Sequence, residues 1–110
     1  MDIKNRLSRY PETVGIENFD ITPVKTSIDF LISSGIDFEF RTTIVKEIHT
    51  IEDIDVLSGE IKGAKKYFLQ NFVDSGNLIG ENLSSHDKSV LEEMKKAAEK
   101  HIPTVSIRGV

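Results

Sequence analysis

The sequence of 110 residues contains no cysteine, and this absence removes several kinds of chemistry at once. Without thiols, these residues form no disulfide, no thiolate nucleophile, no cysteine-ligated zinc site and no cysteine-held iron–sulfur cluster. Such chemistry would have to be supplied by residues outside this chain.

Long apolar runs and an excess of positive charge are missing as well. No stretch approaches the roughly 18 apolar residues of a membrane span, and the N-terminus has no signal-peptide pattern. The net charge of −4 argues against the broad electropositive surface of nucleic-acid-binding proteins, although it allows a local basic pocket. We therefore expect a cytoplasmic protein that binds neither membranes nor nucleic acid.

The apolar periodicity predicts a single α/β domain over residues 1–110, with the element order β-α-β-α-β-α-β. Strands are predicted at 1–4, 37–45, 67–73 and 104–108, and helices at about 23–34, 51–62 and 86–102. Thr22 is expected to cap the first helix, with Pro23 at its first position, and Thr50 to cap the second. Helices that alternate with strands in this way indicate a parallel sheet of right-handed βαβ units.

The long connections all follow strands. Connections from a helix to the next strand are short, whereas residues 5–21 and 74–85 form long loops between a strand and the next helix. In parallel α/β folds, ligands bind at the carboxyl ends of the strands. We therefore expect a site at that edge, near Asp2, Lys4, Arg41 and Gln70.

Arg41 is an unusual residue in the second predicted strand, because burying a guanidinium without a partner costs several kcal/mol. One interpretation places it on an edge strand, in water or paired with Glu39. The other places it inside a barrel, where Arg41 and Lys4 hold a ligand carboxylate or phosphate and Asp2 accepts hydrogen bonds from hydroxyls or amines. The alternation of the strand fits both.

The three histidines have no metal-ligand spacing. His49 follows the second strand, and we interpret it as a loop residue near the carboxyl ends of the strands rather than a catalytic group. His86 and His101 lie at a helix start and a helix end, where capping and the helix dipole explain them.

Four segments together resemble a known family. They are MDIK at 1–4, EFRTTIVKE at 39–47, YFLQNFVDSGNL at 67–78 and IRGV at 107–110. The chain resembles, over essentially its whole length, the C-terminal half of radical S-adenosylmethionine activating enzymes. Within them it is most similar to the anaerobic ribonucleoside-triphosphate reductase activating proteins, relatives of pyruvate formate-lyase activase.

This resemblance implies a TIM-like partial (β/α)6 barrel, of which the chain is the C-terminal half. In the family, a [4Fe-4S] cluster cleaves S-adenosylmethionine, and the resulting radical takes a hydrogen atom from a glycine of the partner, here an anaerobic ribonucleotide reductase. Asp2 and Lys4 match the family's Asp-x-Lys beside the ribose and methionine of the cofactor. Arg41 matches an arginine near the methionine carboxylate, and Gln70 a polar residue near the ribose or adenine.

The family's Cys-x3-Cys-x2-Cys cluster motif is missing, and so is its Gly-Gly-Glu motif, for which Ser58-Gly59-Glu60 in a predicted helix is no substitute. We therefore expect an inactive fragment that has no metal ligands or catalytic residues of its own and binds no cofactor by itself. The alternative is a stand-alone α/β ligand-binding or interaction module whose strand charges are structural. Four parallel strands cannot close a barrel, so we also expect exposed strand edges and self-association.

Overall fold

The computed structural model describes residues 1–16, 18–35, 38–72 and 85–109, and it confirms an α/β fold with a parallel sheet. A 3-10 turn at Leu7–Arg9 precedes the first helix. The elements that follow are α1 (Tyr10–Val14), α2 (Thr22–Ser34), β1 (Phe40–Ile44), α3 (Ile51–Glu60), β2 (Lys66–Asn71), α4 (Lys88–Glu99) and β3 (Thr104–Arg108).

The sheet has the strand order β1-β2-β3, and both pairs are parallel. The opening segment lies on the other side of β1. The Ile3 amide donates to the Arg41 carbonyl at 2.8 Å, and the Arg41 amide donates to the Met1 carbonyl at 3.0 Å. These two bonds form a parallel bridge between Asp2 and Arg41, so the opening strand is present as this single bridge. Four neighbouring chain segments therefore follow one another across the sheet in sequence order.

One face of the sheet is packed against helices. α3 and α4 pack against each other, and α4 also contacts β2 and β3. The buried side chains of this core include Phe40, Ile44, Tyr67, Leu69 and Val105 from the strands and Ile54, Leu57, Leu91 and Met94 from the helices. Tyr67 is fully buried and donates to Thr42 Oγ1 at 2.6 Å, and burial raises the pKa of its phenol. None of the described helices is both long and apolar enough to cross a membrane.

The boundaries of all three predicted helices differ from the prediction, and α3 ends at Glu60 rather than at residue 62. α2 includes Thr22, so the prediction that Thr22 is its N-cap is wrong. Ile21 is the N-cap and makes no side-chain cap bond, but the Asp20 carboxylate just before it accepts the Thr22 amide at 2.9 Å. Hydrogen bonds from the Thr22 side chain and amide lower the pKa of Asp20. α4 begins at Lys88, one turn or less after the predicted start. Thr50 does cap α3 as predicted, in a reciprocal capping box with Asp53.

The first predicted loop contains a helix that the periodicity did not indicate. α1 is only five residues long, too short to display an apolar stripe. Its local signals are nevertheless present, since Pro11 lies in its first turn and Gly15 ends it at a φ of +74°. The other predicted loop, at 74–85, lies almost wholly outside the described residues.

Among the described residues, the outer edges of Met1–Ile3 and of β3 have no neighbouring strand. The described sheet is thus open at both edges. That it forms half of a barrel together with further strands stays a prediction. Self-association through these edges also stays a prediction. Sedimentation velocity of the chain would contradict it by showing a monomer at all concentrations.

Candidate functional site

The second face of the sheet, which we call the open face, carries polar side chains and no helix within the described ranges. The strand register aligns these side chains in two rows. One row runs across Asp2, Arg41, Phe68 and Ser106, and the next across Thr43, Gln70 and Arg108. The structure therefore places three of the four predicted site residues, Asp2, Arg41 and Gln70, on one surface. Arg41 is the second residue of β1, so it lies near the amino end of that strand and not at the carboxyl end, where the site was predicted.

Lys4 joins this group through Asp2. Its ammonium Nζ lies 2.8 Å from Asp2 Oδ2, in an ion pair whose lysine side chain is 54% exposed. The other carboxylate oxygen of Asp2, Oδ1, is buried and has no hydrogen-bond partner in the described part of the chain. A buried acceptor without a donor costs about 1–3 kcal/mol, and a ligand donor could reach this oxygen only after the Asp2 side chain turned toward the open face.

Arg41 lies on β1, an end strand of the three-stranded sheet, and a single bridge to Asp2 adjoins its outer side. Across the sheet its other neighbour is Phe68, and Arg41 is exposed, which agrees with the interpretation that placed it in water on an edge strand. It has no ion-pair partner within the described ranges. A cation that lacks a protein anion can bind an anionic group of a ligand.

Glu39 does not pair with Arg41, as one interpretation of the sequence had it. Its carboxylate Oε2 lies 3.2 Å from Arg108 Nη2, on the far side of β2. The Arg108 side chain crosses Phe68 to reach Glu39, and its guanidinium carbon lies 3.6 Å from the centre of the Phe68 ring, in a cation–π contact. Sequence reasoning missed this group, because the partner of Glu39 comes from a strand 69 positions later.

Gln70 lies beside Gly109, which follows β3. A Cβ built on Gly109 would approach Gln70 Nε2 to 2.7 Å, and the φ of Gly109 is +79°. Both the backbone conformation and the close approach therefore favour glycine at this position.

Hollows lie at both ends of the strands and beside α2, and none of these is lined by Asp2 or Arg41. The hollow beside α2, of about 470 Å³, is lined by Met1, Thr26, Ser27, Phe30 and Leu31. A cleft of about 180 Å³ at the carboxyl end of β1 is lined by Asn5, Arg9, Glu12, Thr13, Glu47 and Ile48. A hollow of about 340 Å³ at the amino end of the strands is lined by Phe38, Glu39, Lys66, Phe68 and Arg108. The predicted site residues thus lie on an open surface. Sites for small molecules are usually concave, so these residues alone do not form a complete site.

Buried side chains hold the strand end at Lys4. The Lys4 amide donates to the Tyr10 hydroxyl at 3.0 Å, and His49 Nε2 lies 2.8 Å from the Lys4 carbonyl. His49 is 2% exposed, and burial lowers the pKa of its ring despite the opposing effect of the Lys4 carbonyl. The described residues contain no cluster of three or more side chains that could hold a metal ion.

Comparison with known proteins gives one relative. The chain is 28% identical, over 116 aligned positions, to a protein of Methanocaldococcus jannaschii that is itself proposed to be a glycyl-radical enzyme activating enzyme. The alignment covers all of this chain. It spans about half of the relative, 48% of its length. No protein-family model matches the chain, and no solved structure matches it at a significant level. The similarity agrees with the resemblance to activating enzymes, and it does not distinguish among their target enzymes.

Proposed function

We propose that residues 1–110 are the cofactor-side, C-terminal half of a radical S-adenosylmethionine barrel that belongs to a glycyl-radical enzyme activase. The observation that carries this proposal is the parallel bridge between Asp2 and Arg41, on a sheet face that no described helix covers. It brings the residues of the Asp-x-Lys segment next to the strand arginine, two features that are 39 positions apart in the chain.

The open face has the donors and acceptors that S-adenosylmethionine requires. Arg41, which has no ion-pair partner among the described residues, offers its guanidinium to the methionine carboxylate, and the Asp2 carboxylate offers an acceptor to an amine or hydroxyl. Lys4 adds positive charge beside Asp2, and Gln70 adds an amide one row further along the strands. When bound, the cofactor supplies radical chemistry; the residues of this chain bind and orient it.

The iron–sulfur cluster does not fit this chain, because the sequence has no cysteine to ligate it. The cluster would belong to the other half of the parent barrel, and that half would also close the open face into a concave site. We therefore propose that the chain has no activity alone. The partner of the parent would be a glycyl radical enzyme, and the closest sequence resemblance suggests an anaerobic ribonucleotide reductase.

The test is an isothermal calorimetric titration of S-adenosylmethionine into the anaerobically reconstituted full-length parent. We expect saturable one-site binding, together with the visible absorption of an iron–sulfur cluster. The isolated chain serves as the control and should give no saturable heat. A parent that lacks the three cysteines, or that forms its cluster and gives no binding heat, would contradict the proposal.

One observation favours the alternative of a stand-alone module with structural charges. On the open face, the Arg108 guanidinium pairs with the Glu39 carboxylate and contacts the Phe68 ring. These charged groups therefore have protein partners and need no ligand. Arg41 and Asp2 Oδ1 have no such partners among the described residues, and for this reason we prefer the cofactor-binding proposal.

A further inference from the structure

Both backbone groups of Lys4 are held by side chains from elsewhere in the chain. Tyr10, on α1, accepts the Lys4 amide at 3.0 Å, and His49, after β1, contacts the Lys4 carbonyl at 2.8 Å. Both side chains are buried, with exposures of 4% for Tyr10 and 2% for His49. Lys4 therefore leaves the sheet at a position that these two residues determine.

The hydrogen bonds of His49 define its tautomer. The Val45 amide can only donate, so Nδ1, at 3.0 Å from it, must be the acceptor. The Lys4 carbonyl can only accept, so Nε2 must carry the proton. The ring is thus neutral, with both nitrogens engaged, and it links the end of β1 to the end of the opening strand. No nitrogen remains for a substrate.

We propose that His49 is a positioning residue that fixes the Asp2–Lys4 pair relative to Arg41 for binding of S-adenosylmethionine. This inference rests on the function proposed above. His49 lies at the point where the opening segment meets β1, so its ring sets the distance between the two strand ends. It acts through the Lys4 backbone and makes no contact with the cofactor itself.

Burial is the largest effect on the His49 ring and favours its neutral form, whereas the nearby Asp53 opposes it. The titratable groups that face it are Asp53 from α3 and His86 ahead of α4, while the Lys4 ammonium points to Asp2. His86 Nε2 also lies 2.6 Å from the His49 carbonyl. Because burial lowers the pKa of His49, the unfolded chain takes up a proton first as the pH falls below about 6.5. The link between the strands should therefore weaken on acidification and be fully present above that pH.

Two substitutions separate the two bonds of the ring. In His49→Gln, the amide nitrogen can reach the position of Nε2 and keep the bond to Lys4. In His49→Asn, the shorter side chain can keep the bond to Val45 and loses Lys4. The Asn variant loses a neutral hydrogen bond worth about 1 kcal/mol. We therefore expect two quantities to rise in it by several-fold to about tenfold: the rate of amide hydrogen exchange at Ile3 and the dissociation constant for S-adenosylmethionine. The Gln variant should stay close to wild type in both.

The measurements are hydrogen exchange by mass spectrometry and calorimetric titration, both on the full-length parent. Equal exchange at Ile3 in the two variants would overturn the positioning role. If the wild type binds no S-adenosylmethionine, the proposed function fails, and the exchange difference still decides whether His49 fixes Lys4. Should His49→Asn not fold, Tyr10→Phe removes the other bond to Lys4 and must produce the same rise in exchange. Unchanged exchange in Tyr10→Phe would count against the role.

Discussion

Replacing Asp53 with alanine is expected to lower the free energy of unfolding by about 2–4 kcal/mol. This range lies between the typical cost of losing a helix cap and the typical cost of breaking a buried ion pair. The Asp53 side chain is 1% exposed, and its Oδ2 accepts the Thr50 amide at 3.0 Å in the capping box of α3. Oδ1 lies 3.1 Å from Arg6 Nε, close enough for an ion pair but without hydrogen-bond alignment, and Oδ2 lies 3.4 Å from Arg9 Nη1. The substitution removes all three contacts and leaves Arg6, 19% exposed, without its anion.

Asp55 provides the matched control for this prediction, because it lies on the same helix and also has two basic residues as partners. Its carboxylate contacts Lys100 at 2.9 Å and His101 at 2.8 Å, but its side chain is 37% exposed. Exposed ion pairs contribute about 0–1 kcal/mol, so Asp55→Ala should have a small effect. Urea unfolding curves of the two variants measure the difference. Equal midpoints would show that Asp53 does not anchor the segment from Arg6 to Arg9.

Replacing Arg41 with alanine is expected to weaken S-adenosylmethionine binding to the full-length parent by about tenfold or more, since truncating one partner of a desolvated charge pair costs about 2–5 kcal/mol. The reason is that the Arg41 guanidinium has no ion-pair partner among the described residues, so its charge remains available to a ligand carboxylate. Calorimetric titration measures the effect, and the thermal unfolding temperature should change little because the side chain is exposed.

Arg108→Ala is the control for this second prediction. Arg108 lies on the same face, but its guanidinium already contacts Glu39 and the Phe68 ring. If the cofactor carboxylate binds Arg41 specifically, the Arg108 variant should lose much less affinity. Equal losses would indicate a general electrostatic effect, and an unchanged affinity in Arg41→Ala would remove this residue from the site.

Local signals in the sequence predicted the elements well where they act within one turn. Gly35 ends α2 with a φ of +73°, and Thr50 caps α3 through Asp53, as the residue types indicate. The alternation of β1 correctly separated Phe40, Thr42 and Ile44, which are buried, from Arg41 and Thr43, which are exposed. These features depend on neighbours a few positions away, so the sequence contains them directly.

Contacts between distant segments could not be predicted in the same way. The pairing of Glu39 with Arg108 depends on the order and register of three strands, and two arginines of the face were equally plausible partners from composition alone. The role of His49 depends on the ring meeting a backbone carbonyl 45 positions earlier. From the sequence, His49 could be interpreted only as a histidine in the loop after the second strand. Tertiary packing decides such contacts.

A crystal structure of the full-length parent with its cluster and S-adenosylmethionine bound tests the proposed site most directly. We expect the methionine carboxylate within hydrogen-bond distance of Arg41, and a donor group of the cofactor at the Asp2 carboxylate. We also expect further strands to extend the sheet beyond Met1–Ile3 and to enclose the open face. Cofactor bound away from this face, or an open face covered by protein with Arg41 paired to another residue, would rule out this site.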